Sequence, residues 1–259
     1  MPEDALSEAL ADAGSVVAFT GAGVSTESGI PDFRSPGGVW SRYDPRDFTF
    51  DRYVESADVR QRSWQMRREF FAARPEPNPA HEALARLEHD GPLEAVITQN
   101  IDGLHQAAGS ETVIELHGTA REVMCIGQQP RGGVPNGCGF RAPTTWAFDR
   151  LDGGEDDPRC PECDGIVKSA TVSFGQALFP DTVDRAVDLA TSCDLLLTIG
   201  SSLQVYPAAG LPEAAKQAGA SLVIVNDEPT PFDGMADIVV RGRAGETLPA
   251  AVEAALSAG

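Results

Sequence analysis

The sequence predicts an α/β fold, a mostly parallel sheet flanked by helices and interrupted by a small insertion stapled by a metal. Three observations predict it. Short apolar runs alternate with helical patterns along most of the chain. The first of these runs leads straight into Gly21-Ala22-Gly23. Four of the five cysteines fall in one central segment where periodicity is lost.

Taken in order, residues 1–13 read as an acidic helix without the basic start and cleavage site of a signal peptide. Ser15–Thr20 reads as a buried strand, Leu93–Thr98 as a second and Val113–Leu116 as a third. Asp194–Ile199, Leu222–Val225 and Ile238–Val240 complete a set in which polar loops follow the strands. Helices are expected over Ser56–Ala73, Pro79–His89, Asp181–Ala190, Ala208–Ala218 and Glu246–Leu256. Between about Thr119 and Lys168, Gly, Pro, Cys and Asp dominate, and such a stretch cannot build much apolar core of its own. The expected division is 1–118 plus 169–259 as the sheet domain, with a helical insertion near 35–80, and 119–168 as the metal module.

Composition narrows the function classes. Asp and Glu number 39 against 20 Lys plus Arg, a formal net charge of −19, and only Lys168 and Lys216 are lysines. Such a surface repels phosphate backbones, so direct nucleic-acid binding is not expected. No apolar run approaches a membrane span, and a cytoplasmic protein is the default. A monomer is the default too, although oligomeric state is not legible. Self-repulsion of this charge is relieved by salt, so a salt-adapted, halophilic cytoplasm is expected. A melting temperature that rises from low to molar KCl is the corresponding measurement. Clustered cysteines without an export signal favour a metal site over disulfides.

A strand ending in Gly-Ala-Gly suits phosphate binding, because glycines admit a ligand to the backbone and helix-start amides favour an anion. Thr26 occupies the place of the third glycine of the dehydrogenase fingerprint. A tight strand-to-helix turn without a ligand accounts for the same residues equally well.

The loop has company. Gly21 to Arg34, Thr98-Gln99-Asn100-Ile101-Asp102-Gly103-Leu104-His105, Glu115-Leu116-His117-Gly118, Gly200-Ser201-Ser202-Leu203, Val223-Ile224-Val225-Asn226 and Ala244-Gly245-Glu246 occur in that order. Together they resemble the sirtuins over nearly the whole chain. The resemblance implies a Rossmann-like NAD-binding domain with a small zinc module, and NAD-dependent removal of acyl groups from lysine in a protein or peptide substrate. In that reaction the acyl oxygen attacks the ribose carbon bearing nicotinamide, giving free lysine, nicotinamide and acylated ADP-ribose. An NAD hydrolase or a mono-ADP-ribosyltransferase using the same site is the competing reading.

The resemblance also assigns residues. His117 matches the catalytic base, a role imidazole can fill near neutral pH. Asn100 and Asp102 match groups that hold nicotinamide and ribose, and Gln99 one that reaches a ribose hydroxyl. Gly21, Ala22, Gly23, Thr26 and Asp32 belong to the cofactor loop, with Phe33 shielding the reactive carbon and Arg34 meeting phosphate or ribose oxygens. Ile101, Gly200, Ser201, Ser202, Asn226 and Ala244 complete the cofactor set, Ala244 through its backbone. Val172, Phe174 and Gly175 resemble the segment that pairs with the peptide as an added strand, with Val205 and Tyr206 opposite. Ser173 and Gln176 stand where Trp or Phe and Glu are usual.

Cys160-Pro-Glu-Cys163 is a sound zinc half-site. The family's second Cys-x-x-Cys is broken, because Gln128 sits three residues after Cys125. Cys138 is the expected replacement, so that Cys125, Cys138, Cys160 and Cys163 hold one structural zinc. Cys193 reads as a core residue. Sirtuins that take succinyl or malonyl groups carry Tyr-x-x-Arg, where this chain has Trp64 and Arg67. An arginine on an amphipathic helix usually faces solvent, so acetyl or longer neutral acyl groups are expected.

Overall fold

The computed structural model describes residues 2–33 and 36–258; Arg34 lies outside them. Nine strands form two sheets among these residues. Strands β1 (Val16–Thr20), β2 (Leu93–Thr98) and β3 (Val113–Glu115) belong to the larger sheet. The chain then leaves it for β4 (Gly118–Gly127), β5 (Arg141–Pro143) and β6 (Ile166–Thr171). It returns as β7 (Leu195–Ile199), β8 (Ser221–Val225) and β9 (Ile238–Val240).

The larger sheet is parallel throughout, in the order β3-β2-β1-β7-β8-β9. Alternation along β1 sorts two cores. Val16 and Ala18 face one side, where Leu6 and Leu10 of α1 (Pro2–Asp12) pack. Leu84 and Leu87 of α4 (Pro79–Asp90) and Leu248 and Val252 of the terminal helix (Ala244–Ala258) join them. Val17 and Phe19 face the other side, against Ala186 and Ala190 of a helix over Pro180–Ser192 and Ala215 of one over Leu211–Ala218. Cys193 is buried in this second core, as the sequence suggests. Of the expected helix Ala208–Ala218, the first turn is a separate 3-10 turn, Ala208–Gly210.

Strand order reverses between β1 and β7, which opens a crevice beyond their carboxyl ends. The loop after β1 continues as a 3-10 helix, Ala22–Ser28, and crosses the loop after β7 at Gly200.

The segment 119–168 is more regular than its composition suggests. It holds the antiparallel sheet β5-β4-β6 and a helix over Thr144–Asp152. Its core is nonetheless borrowed. Trp64 of α3 (Ala57–Ala73) inserts among Val123, Cys125, Ala147, Cys160 and Val167. Phe50 and Tyr53 of α2 (Phe50–Glu55), with Val59, cover Ile126 and Ile166. Asp157 and Arg60 tie the two segments by a bidentate ion pair at 2.8 Å.

Candidate active site

The crevice is assembled from loop ends, and the glycines there answer to one another. Gly21 N–H donates to Ile199 O (3.0 Å) and Gly23 N–H to Gly200 O (2.8 Å). A methyl group on Gly23 would lie 2.8 Å from the Gly200 backbone, and one on Gly200 2.4 Å from Val24 N. These two glycines are required by loop-on-loop packing, whatever they also offer a ligand. The Thr26 hydroxyl is spent within the turn, donating to Gly23 O (2.9 Å).

Beneath the loop lies a polar network that joins the predicted Asn100 and Asp102 to Ser25 and His81, which sequence reading missed. Ser25 is buried, and its hydroxyl donates to Asp102 Oδ2 (2.8 Å) while accepting from Asn100 Nδ2 (3.1 Å). His81 Nδ1 accepts from Asn78 N–H (3.2 Å), which fixes the tautomer and leaves Nε2–H toward Ser25 Oγ at 3.4 Å. Asn78 caps α4 and reaches back to Val24 O (2.8 Å). The signal was present: Asn-Pro-x-His before a periodic run is a helix start with a polar N3 residue. What the spacing lacked was any indication that this cap meets the glycine loop.

Asn100 is further fixed by Nδ2–H to Gly21 O (3.1 Å), and Asp102 Oδ1 accepts from Leu104 N–H (2.9 Å). Both side chains are therefore held before any ligand arrives. Gln99 Nε2 donates to Ser201 Oγ (2.9 Å), linking the β2 and β7 loops. Behind them Thr20 Oγ1 lies 2.8 Å from Thr98 Oγ1 and 3.0 Å from His105 Nε2. Burial holds His105 neutral, its pKa pushed down to about 3, and lowers that of His81 against the opposing pull of Asp102.

His117 stands just past β3. Its Nδ1 donates to the Gln99 carbonyl (2.9 Å), since a carbonyl can only accept, and Nε2 keeps its lone pair. Burial lowers the His117 pKa, and the Gln99 carbonyl opposes this in part. The ring is thus neutral at neutral pH, with one nitrogen able to take a proton. Its backbone carbonyl accepts from Val172 N–H (2.8 Å), which brings the end of β6 alongside.

Other predicted residues fall around this centre. Phe33 is exposed and packs on Trp40, centroids 5.2 Å apart, while Asp32 O accepts from Val39 N–H (2.8 Å). Ile101 is half-buried, and its carbonyl accepts from Ala120 N–H. Asn226 directly follows β8 and its Nδ2 donates to Glu228 O (2.7 Å). Ala244 opens the terminal helix with its side chain in the core, so only its backbone is available.

Phe174 departs from expectation. Its N–H donates to Phe48 O (3.0 Å) and its carbonyl accepts from Phe50 N–H (2.9 Å), so both strand-pairing groups are already taken. It can offer a peptide its half-exposed ring only. Arg67 also departs. It is not a solvated helix residue: Nη2 donates to Thr171 Oγ1 (3.2 Å), and its Nε is buried without a partner. Lys168 Nζ is buried on the same Thr171, and burial beside Arg67 brings its pKa to about 7.

The four cysteines converge. Sγ atoms of Cys125, Cys138, Cys160 and Cys163 all lie within 4.8 Å of one another. Gly165 makes this possible, because a methyl group there would stand 2.9 Å from Cys125 Sγ. Gln128 is no ligand; its Nε2 donates to Cys163 O (2.7 Å). Four thiolates suit one tetrahedral zinc with no open position, a structural arrangement.

Residues 21–207 match the model of the Sir2 family. The chain belongs to the Sir2 family. Among its relatives, NAD-dependent protein deacetylase 2 of Streptomyces coelicolor is 47% identical over 240 residues, 91% of this chain and 95% of that protein. The NAD-dependent protein deacetylase of Rhodopseudomonas palustris is 48% identical over 247 residues, 94% and 93% of the two chains. A solved Sir2 structure with a p53 peptide and NAD+ has a TM-score of 0.85 at 36% identity, covering 98% of each chain. The Sir2 match spans the glycine loop, His117, the cysteine cluster and the segment carrying Arg67.

Proposed function

We propose that this chain is an NAD-dependent protein deacetylase whose reaction takes place at the crevice beside His117. The observation that carries the reading is the His117 ring, neutral and tautomerically fixed, next to the Ser25–Asn100–Asp102 network at the strand ends. NAD supplies a ribose carbon already activated by its cationic nicotinamide leaving group.

The protein's part is positioning and proton handling. Asn100 and Asp102 hold nicotinamide and its ribose, and Ser25 and His81 keep those two side chains in place. His117 Nε2 accepts a proton from a ribose hydroxyl. Gln99 and Ser201, already bonded to each other, face the ribose across the crevice. Gly21, Ala22, Gly23, Gly200 and Ser202 line the phosphates, with Asn226 and the Ala244 backbone at the adenosine end. Phe33 shields the reacting carbon, and Arg34 is read from its motif as meeting phosphate or ribose oxygens. Val172, Gly175, Val205 and Tyr206 bracket the peptide, and the Phe174 ring packs against it. Zinc on the four cysteines holds the small sheet's shape and takes no part in the chemistry.

The domain division follows packing. The small lobe comprises 119–168 together with the helical insertion near 35–80 that supplies its core. The formal net charge of −19 supports salt adaptation, which a melting temperature rising from low to molar KCl would register.

The test is an NAD-dependent assay over a panel of acyl-lysine peptides. Acetyl-lysine peptide should be deacylated with nicotinamide release, and His117→Ala should lose about 10²–10⁴-fold in rate while NAD binding persists. Nicotinamide release independent of acylated peptide would point to a hydrolase, and label from NAD retained on protein to a transferase. Neutral acyl groups are favoured because Trp64 is committed to the core and offers no hydroxyl. The half-buried Arg67, its Nε without a partner, favours a second reading, an acidic acyl group; a higher kcat/KM for succinyl than for acetyl peptide would select it.

A further inference from the structure

The stretch between Cys125 and Cys138 is where the zinc knuckle is lengthened, and its extra residues are docked on a defined partner. At the root, Asn136 N–H donates to Ile126 O (3.1 Å). At the tip, Arg131-Gly132-Gly133-Val134 make a tight turn closed by Val134 N–H to Arg131 O (3.2 Å). The glycines there have φ of +62° and +72°, a pair of values that glycine adopts without strain. Gly133 is buried: its carbonyl accepts from Ala177 N–H (3.0 Å), and a methyl group on it would stand 2.1 Å from Gly175 O.

Gly175 and Ala177 continue the segment read as the peptide-pairing edge. The turn therefore presses on that edge from the side of the cysteine cluster, and its two ends are fixed by Cys125 and Cys138. Val134 follows the docked Gly133 with 56% of its surface exposed, and Phe174, the residue before Gly175, is exposed at 46%. A single exposed valine is ordinary. One carried on a turn that packs against a substrate-pairing strand is placed to touch what binds there.

We propose that the lengthened knuckle forms the outer wall of the peptide groove. Gly133 is a positioning residue for Gly175–Ala177, and Val134 contacts an apolar side chain of the substrate beside the acyl-lysine. This rests on the peptide-groove reading given above.

The experiment measures KM and kcat at saturating NAD for acetyl-lysine peptides flanked by Leu or by Ser. Wild type, Val134→Glu, Gly133→Ala and Tyr206→Ala are compared, with zinc content measured for each. Val134→Glu should raise KM about tenfold for the Leu-flanked peptide and far less for the Ser-flanked one, the effect falling on KM and not on kcat. Gly133→Ala should raise KM for both peptides while zinc stays at one per chain. Unchanged Leu/Ser discrimination in Val134→Glu, with KM raised by Tyr206→Ala, overturns the wall but keeps the groove. If neither Val134→Glu nor Tyr206→Ala moves KM, the groove reading fails and takes the wall with it. Gly133→Ala with unaltered peptide KM overturns the positioning role. Should it fail to fold, Val134→Glu decides.

Discussion

The six-stranded layer and the small cysteine-bearing lobe are stabilised in different ways. The layer packs aliphatic side chains on both faces of a parallel sheet, with helices supplied by the same α/β alternation that supplies the strands. The lobe has two small clusters, one of which includes the zinc-site residues Cys125 and Cys160 and depends on Trp64 from a distant helix. The first can be expected to hold its shape from packing alone. The second leans on a borrowed indole and on a cysteine cluster suited to a metal, because its Gly-, Pro- and Asp-rich sequence has little apolar surface of its own. Residues 172–177, the proposed peptide edge, are tied to His117 at one end and to the knuckle turn at the other. A disturbance of the lobe should therefore reach peptide binding before it reaches the sheet.

Metal removal is the strongest way to break this contrast, since structural zinc in small modules contributes on the order of 10–16 kcal/mol of apparent binding. Chelation, or Cys160→Ser, should redshift tryptophan emission and abolish peptide binding while the sheet's far-ultraviolet dichroism largely persists. Trp64 and Trp146 both belong to the lobe, so the emission reports on it. Loss of both signals together would show the two regions to be one cooperative unit. A smaller effect comes from Trp64→Ala, which should cost about 3–5 kcal/mol by emptying a fully buried site. Denaturant midpoints check it, and a loss below about 1 kcal/mol would mean that the lobe is self-supporting.

Acidification probes the layer instead. The His105 ring is held neutral in the fold, with its pKa down to about 3, whereas in the unfolded chain it titrates near 6.5. Stability from this burial is complete above pH 6.5. It falls as pH drops below that value, because the unfolded chain takes up a proton the folded one refuses. The slope is about 1.4 kcal/mol per pH unit for one ring. His81 and His117, also lowered by burial, add in the same direction. Urea unfolding between pH 7 and pH 5 should show this slope, and His105→Gln should flatten it. An unchanged slope would remove His105 as its source.

Much of the layer was legible because strand and helix periodicities are local. Ser15–Thr20, Leu93–Thr98 and Ile238–Val240 read correctly to within one residue from runs of a few apolar residues. The lobe's sheet was not, because β4 and β6 are paired across about forty residues that include β5 and a helix, and the pattern of β4 is broken by a cysteine and glycines. At the site, His117 and the cofactor loop were read from motifs. Ser25 and His81 escaped because each looks like a turn or cap residue until the loop and α4 are brought together.

By itself, the sequence determined the α/β class, the order of the strands along the chain, the family and the four cysteines. These follow from local periodicity and from residue types at fixed spacing. Tertiary structure decided what spacing cannot carry. It showed that Gly23 and Gly200 serve each other, that Phe174 has spent its backbone, and that the Arg67 Nε is buried. It also placed the lengthened knuckle at Gly175. Each of those depends on which two distant backbones touch, and burial and pairing arise only at that contact.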